Sequence, residues 1–316
     1  MAAAWLVAHS AAGSPPPAPP APDAGSRTVL ILRTSGDAPY ARAEEGARSA
    51  LASEAPGARL VSLTLGEEGD GPAAGDLPRD AALVVAIGSR AARVARERLP
   101  EIPVVYAMVL DPHSVALPGP GEPPAGNATG VSMEVGPERE FELLRQILPG
   151  ARRVGVLYDP ARSGAAVRRA AAAAAAAGLT LVSQPVHDEA DVLPEGKLLA
   201  PNVDAVWLVP DPTVLTAANV RPLILMFLRA RKPLFAMSEG FVRNGAVAAL
   251  IADPSEVGRR AGRLAGMVLQ GTPVAALRPE PPPRTLIVLN QASAESLGIA
   301  LPAQILTRAH AVHPIR

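Results

Sequence analysis

Four Asp-Pro pairs stand where the sequence could do chemistry. Asp111-Pro112, Asp159-Pro160, Asp211-Pro212 and Asp253-Pro254 each directly follow a segment that reads as a β-strand. A carboxylate at such a point has two uses. It can accept the free N–H groups at a helix start, with Pro at the first helical position. Alternatively, it can hold the ammonium group of a bound small molecule. Capping is the commoner role for any one pair. Asp111 departs most from that role, because Pro- and Gly-containing sequence follows it rather than a helical pattern. Location gives all four a second interest. Ligands of open α/β sheets bind outside the carboxyl ends of the strands, where helix N-termini offer N–H groups and partial positive charge.

Other residues share that location. Gly88-Ser89 forms a strand-to-helix turn that could give a hydroxyl and bare N–H groups to a carboxylate; an ordinary tight turn is the alternative. Met237-Ser238-Glu239-Gly240 follows a short strand, with a solvated loop as the alternative reading. Ser35 lies in the loop after the first strand, and Ser163 opens a helix. Tyr40, Tyr158 and Phe235 fall at strand–helix junctions, where each either walls a ligand or packs. Trp207, mid-strand, reads as core. The candidate ligand-binding set is therefore Ser35, Tyr40, Gly88, Ser89, Asp111, Tyr158, Ser163, Asp211, Ser238 and Glu239.

Other chemistries find no support. With no Cys, the chain has no thiol nucleophile, disulfide or thiolate metal site. It has no dinucleotide-binding or phosphate-loop motif and no nucleophile elbow. None of its five His has metal-ligand spacing. No nucleophile–base pair stands out, so no catalytic residue, metal or cofactor is assigned. Thirty basic residues balance thirty acidic ones and aromatics are 3%, which argues against a nucleic-acid partner.

The elements that must position these residues alternate. Thr28–Leu32 and Ala81–Ile87 are continuous apolar runs, as in strands buried on both faces of a parallel sheet. Arg59–Leu65 and Pro103–Val109 read as further strands, with helices over Tyr40–Leu51 and Arg90–Leu99 between them. Gly66–Gly75 reads as a polar loop. The stretch from Met108 to Glu134 breaks the pattern, and then it resumes. Helices are expected at Arg139–Leu148, Ser163–Ala177, Ala217–Ala230, Glu256–Leu269 and Gln291–Leu297. Strands are expected at Arg153–Tyr158, Leu179–Val186, Val203–Val209, Pro233–Ala236, Ala246–Ile251 and Leu286–Leu289. The helix at Glu256–Leu269 carries Gly258, Gly262 and Gly266 on one stripe, which permits close packing. Pro279–Pro283 is a rigid linker. This alternation predicts two doubly wound α/β lobes with mostly parallel sheets and a cleft between them. Ahead of them, Ala2–Ala12 reads as the later part of a secretory signal, and Ser14–Ser26 as an extended Pro-rich spacer.

Gly126-Asn-Ala-Thr-Gly-Val-Ser132 resembles a segment of the ABC-transporter substrate-binding proteins in the family that includes tryptophan/phenylalanine binders. Other matching pieces follow in order: Gly88-Ser89, Ile102–Val105 with Asp111-Pro112, Leu148-Pro149 with Arg153–Asp159, Val203–Asp211, Lys232–Phe235, Asp253–Gly258 and Leu289-Asn290. The likeness runs from Thr28 to Val312. It implies a type I periplasmic-binding-protein fold whose lobes are joined by three crossovers, with hinge residues Thr129, Gly130, Val131, Ile251 and Ala252 and a third crossing near Pro281. Lobe 1 would take residues 27–129 and 252–280, and lobe 2 residues 130–251 and 281–316. The implied function is a monomeric, non-enzymatic receptor in the periplasm or outside the cell. It would close on a small polar ligand such as an amino acid and present it to the permease and ATPase subunits of an importer. A ligand-sensing domain and a two-lobed α/β enzyme are the alternatives. The segment between Asp111 and Gly126, with Pro118, Pro120, Pro123 and Pro124, departs from the family's usual Gly-rich turn.

Overall fold

The structure is a computed structural model that describes residues 27–65, 77–124 and 126–314. The signal-like run, the Pro-rich spacer and the expected Gly66–Gly75 loop lie outside the described residues.

The first lobe is built from β1 (Thr28–Arg33), α1 (Ala38–Glu54), β2 (Arg59–Thr64), β3 (Leu83–Ile87), α2 (Ser89–Arg98), β4 (Val104–Val109) and β5 (Ala128–Ser132). Its five strands pair in the order β2-β1-β3-β4-β5, all parallel. A parallel sheet must be covered on both faces, and the apolar runs of β1, β3 and β4 are buried along their length. α2 covers one face. The other is covered by α1 together with a helix that arrives from far along the chain, described below.

The second lobe contains α3 (Pro137–Ile147), β6 (Arg153–Tyr158), α4 (Gly164–Ala176), β7 (Thr180–Pro185), α5 (Val192–Leu199), β8 (Ala205–Trp207), α6 (Val220–Arg229), β9 (Leu234–Ala236), α7 (Glu239–Arg243) and β10 (Ala248–Ala252). After α8 (Pro254–Leu269) come β11 (Thr285–Asn290), α9 (Gln291–Ser296), α10 (Ala303–Arg308) and β12 (Ala309–His313). The second sheet runs β12-β11-β10-β9-β8-β6-β7. One pair departs from the parallel pattern: β11 runs antiparallel to β10. β10 ends where the chain leaves this lobe and β11 begins where it returns, so adjacent strands at that edge must point opposite ways. Five elements went unread in the sequence: β5, α5, α7, α10 and the edge strand β12.

α8 follows β10 in the chain yet packs on α1, β3, β4 and β5 of the first lobe. Its glycine stripe explains the closeness. A Cβ at Gly258 would stand 1.9 Å from the Ala43 carbonyl oxygen, and one at Gly262 would stand 2.5 Å from that of Ala47. The two backbones therefore nearly touch. Three segments cross between lobes. Thr129, Gly130 and Val131 are paired with Val105, Tyr106 and Ala107 inside the first sheet, so the first crossing starts only after Ser132. Ile251 and Ala252 end β10 in the second sheet, opposite Leu286 and Thr285. The third crossing starts at Glu280. Its N–H donates to Gly130 O and its carbonyl accepts from Ser132 N–H, both at 2.9 Å.

Candidate functional site

A cavity of about 360 Å³ opens between the lobes, with walls from both and from the first crossing. Its first-lobe wall begins where β4 ends. Asp111 Oδ1 accepts the N–H groups of His113, at 3.1 Å, and Ser114, at 3.4 Å, and so caps the short turn that follows. The side chain stays 49% exposed and lines the cavity. The Pro- and Gly-containing tract then returns Glu122 to the same wall. Glu122 Oε1 sits 3.0 Å from His113 Nε2, and Oε2 accepts the Gly119 N–H at 2.8 Å. The Gly119 N–H, chiefly, and then His113 hold this carboxyl below the ordinary range, against an opposing effect of burial. The tract itself is docked. Tyr106 Oη donates to Pro118 O at 2.6 Å, Gly121 N–H to Pro279 O at 2.9 Å, and Arg278 Nη1 to Gly121 O at 2.8 Å.

The back wall is the first crossing and the start of α3, with Met133, Glu134, Val135 and Glu140. The second-lobe wall is the N-terminal part of α4, with Arg162, Ser163, Ala166 and Arg169, and then the loops after β8 and β9, with Val209, Pro210 and Met237. Arg169 reaches across to Glu134 at 3.3 Å. Trp207 is 5% exposed, yet it lines the cavity as the last residue of the three-residue β8. Its ring meets Phe141 edge-on, with centroids 5.3 Å apart. Its Nε1 donates to Glu140 Oε2 at 2.9 Å. Glu140 is pushed up to about 8, first by burial and then by Glu134 and Glu138, with the indole N–H working the other way.

Of the ten sequence candidates, Asp111 and Ser163 line this cavity. Asp211 lies beneath it, 2% exposed. Its Oδ2 accepts the Asp159 N–H at 2.7 Å and the Ser163 hydroxyl, and its Oδ1 accepts the N–H groups of Thr213 and Val214 at 2.9 and 3.1 Å. This carboxylate is occupied by the fold. Asp159 accepts from Ala161 N–H and Thr213 Oγ1, and Asp253 caps α8. Tyr158 is partly buried at the end of β6 and packs on the second-lobe core. Gly88 and Ser89 stand at the carboxyl edge of the first sheet, outside the cavity wall. Gly88 has φ +98, and a Cβ there would meet Thr34 Oγ1 at 2.4 Å and the Tyr40 ring at 2.8 Å. The turn is thus packed shut by Thr34 and Tyr40. Ser35 Oγ donates to Asp37. Ser238 caps α7, and Glu239 pairs with His313 at 3.2 Å.

Sequence reasoning missed Glu122, Glu134, Glu140, Arg162 and Arg169, and took Trp207 for core alone. Ala166 and Arg169 had a readable signal, being spaced i, i+3 on one face of α4. Glu140 and Trp207 are brought together by the fold, and nothing local marks them. Among the described residues no group of three or more His, Cys, Asp or Glu could hold a metal ion. No helix among them is long and apolar enough to cross a membrane.

Residues 77–313 match the family described as ABC transporter substrate binding protein. The tyrosine-binding protein of Clostridioides difficile (strain R20291) is 25% identical over 220 residues. That alignment covers 69% of this chain and 63% of the relative, a little under two thirds of its length. Among solved structures, an ABC domain in complex with L-Trp from Streptococcus pneumonia is 23% identical with a TM-score of 0.67, covering 91% of this chain and all (100%) of that one. The ligand-free, open structure of a substrate binding protein with adhesive properties from Clostridium difficile is 20% identical with a TM-score of 0.73, covering 92% and 100%. An arabinose binding protein from Geobacillus stearothermophilus reaches a TM-score of 0.58 at 13% identity, covering 85% and 99%. An amino-acid complex and a sugar binder thus share this fold, so the fold alone does not select a ligand.

Proposed function

The chain belongs to the ABC transporter substrate binding protein family, and on that premise we propose that it is the solute receptor of an importer that captures a zwitterionic amino acid between its lobes. One observation carries the reading: a single cavity presents groups for every part of such a ligand. Asp111, Glu134 and Glu140 suit an ammonium group, and Arg162 with the start of α4 suits a carboxylate. Trp207, Val209 and Met237 suit an apolar or aromatic side chain. A volume of about 360 Å³ falls in the range of small-molecule sites. The tyrosine-binding relative and the L-Trp complex support the same class.

Both lobes line the cavity, so a ligand touching both favours the closed arrangement over the open one. The closed form is what permease and ATPase subunits would read, outside the cytoplasm. The role involves no catalytic step and needs no cofactor; the ligand leaves unchanged. A thermal-shift screen of the purified chain against amino acids, sugars and nucleosides tests the reading. A ligand at ~100 times its Kd stabilises the fold by ~2.7 kcal/mol. Stabilisation by a sugar or nucleoside and by no amino acid would overturn it. Recovery of a chemically altered ligand would replace the receptor with an enzyme.

A further inference from the structure

Glu140 faces the cavity from α3 with an incomplete set of partners. Among the described residues its carboxyl has one hydrogen bond, from Trp207 Nε1 to Oε2. Among the same residues its other oxygen has no partner, and no cation neutralises it. The cavity's basic side chains are Arg162, Arg169 and His113. Arg169 is engaged by Glu134 and His113 by Glu122. Arg162 belongs to the same lobe as Glu140, in the turn before α4, and makes no ion pair with it among the described residues. The cavity's other acids are Asp111, Glu122 and Glu134, with Glu138 two residues ahead on α3. A carboxyl thus sits in a mostly apolar recess beside Trp207, surrounded by like charge, with one oxygen free.

We propose that Glu140 is the anchor for the ligand's positively charged nitrogen, which its unpartnered oxygen meets inside the cavity. This deepens the amino-acid reading and rests on its choice of cavity. It adds a selectivity: amines are preferred over the same molecules without the amino group. The charge logic is simple. Burial and the neighbouring acids keep the empty carboxyl protonated near neutrality, at about 8. An ammonium within hydrogen-bond reach favours the ionised form. At pH 7 the proton moves from Glu140 to buffer as the ligand enters, and affinity rises as the pH approaches 8. A glutamine at this position would keep the indole hydrogen bond and lose the exchange.

The chain has two tryptophans, Trp5 and Trp207. A Trp5→Phe variant therefore makes Trp207 the single indole reporter, excited at the red edge where tyrosine does not absorb. The probes are L-tyrosine, tyramine (amine without carboxylate) and 4-hydroxyphenylpropionate (carboxylate without amine). Trp207 emission should titrate with a midpoint near pH 8 in the empty protein, and Glu140→Gln should abolish that titration. Saturation with an amine probe should move the midpoint down by two units or more, and the des-amino acid should not move it. Calorimetry in phosphate and in Tris should show close to one proton released per L-tyrosine at pH 7, and none from Glu140→Gln. That variant should bind L-tyrosine at least tenfold more weakly and the des-amino acid no worse than wild type. Trp207→Phe, which keeps the carboxyl and removes its indole donor, should still release the proton.

The outcomes separate. L-tyrosine bound without proton release, or unaffected by Glu140→Gln, overturns the anchor and leaves the amino-acid reading standing. Tyramine bound with proton release while L-tyrosine is refused overturns the amino-acid reading and keeps the anchor. No amine moving the Trp207 midpoint overturns the anchor.

Discussion

Asp211 and Asp111 carry the same Asp-Pro dipeptide, and their surroundings give them opposite uses. The Asp211 carboxylate accepts from Asp159 N–H, the Ser163 hydroxyl, Thr213 N–H and Val214 N–H while 2% exposed. Removing it strands several buried donors, and bonds to a charged acceptor contribute the most. Asp211→Ala should lower unfolding free energy by about 2–4 kcal/mol in urea titrations. Asp111 is 49% exposed and caps a single turn. Asp111→Ala should cost less than about 1 kcal/mol and weaken ligand binding instead. Equal stability losses in the two variants would contradict this division. Glu140 adds a pH signature to the empty protein. Its folded-state value of about 8 lies above the ordinary 4.5 of a glutamate, so the folded form holds a proton that the unfolded chain has lost in the window between them. The stability it contributes is complete below that window and is lost as pH rises through it. Glu140→Gln should flatten this part of the stability profile, read from urea midpoints across pH 4 to 9. A wild-type slope retained in the variant would assign the titration to another group.

At the scale of elements, the contact between α1 and α8 is the least forgiving. Gly258 and Gly262 meet the Ala43 and Ala47 carbonyls closer than any Cβ tolerates. Gly46 meets the Ser255 carbonyl oxygen in the same way, at 2.2 Å from an ideal Cβ. Overpacking of this kind costs about 1–3 kcal/mol, although Ala has the higher helix propensity. Gly258→Ala should therefore destabilise the chain, and Ala at the exposed, helix-ending Gly178 should do so through its φ of +72 alone. Chemical denaturation of both variants checks the difference; a stabilised Gly258→Ala would refute the close contact. This stripe was legible in the sequence, as were the apolar runs of β1 and β3, because one local pattern encodes each. α5 was not legible, since Pro194 and Gly196 interrupt its pattern. β12 was missed because it is an edge strand alternating exposed and half-buried residues without a strong apolar face. The cavity was half legible. Chain order shows which residues sit at strand ends, but it does not show that Glu122 returns on a docked tract or that Glu140 meets Trp207 across α3 and β8. Those pairings exist only once the lobes are assembled.

At the scale of the whole molecule, the third crossing sets how the lobes can move. Its start is fixed to the first lobe twice. Glu280 pairs along the backbone with Gly130 and Ser132, and its carboxylate takes Arg260 Nε and Nη2 at 2.5 and 2.6 Å. Its far end enters β11 of the second sheet at Thr285. Between them lie Pro281, Pro282 and Pro283, whose rings fix φ. A stiff strut this short limits the open state to a narrow set of lobe angles. Closure then has little orientational freedom to remove, which is preorganisation. Replacing all three prolines with glycine should widen the range of lobe angles in the empty protein, seen as a larger and more heterogeneous radius of gyration in solution scattering. A smaller fraction of molecules is then poised to close, and apparent affinity falls by that fraction. The loss should be severalfold and the same for every ligand, since no residue of the cavity wall is altered. An unchanged affinity with a wider scattering profile would mean that the other two crossings set the lobe angle. A changed order of preference among ligands would mean that the strut shapes the cavity itself.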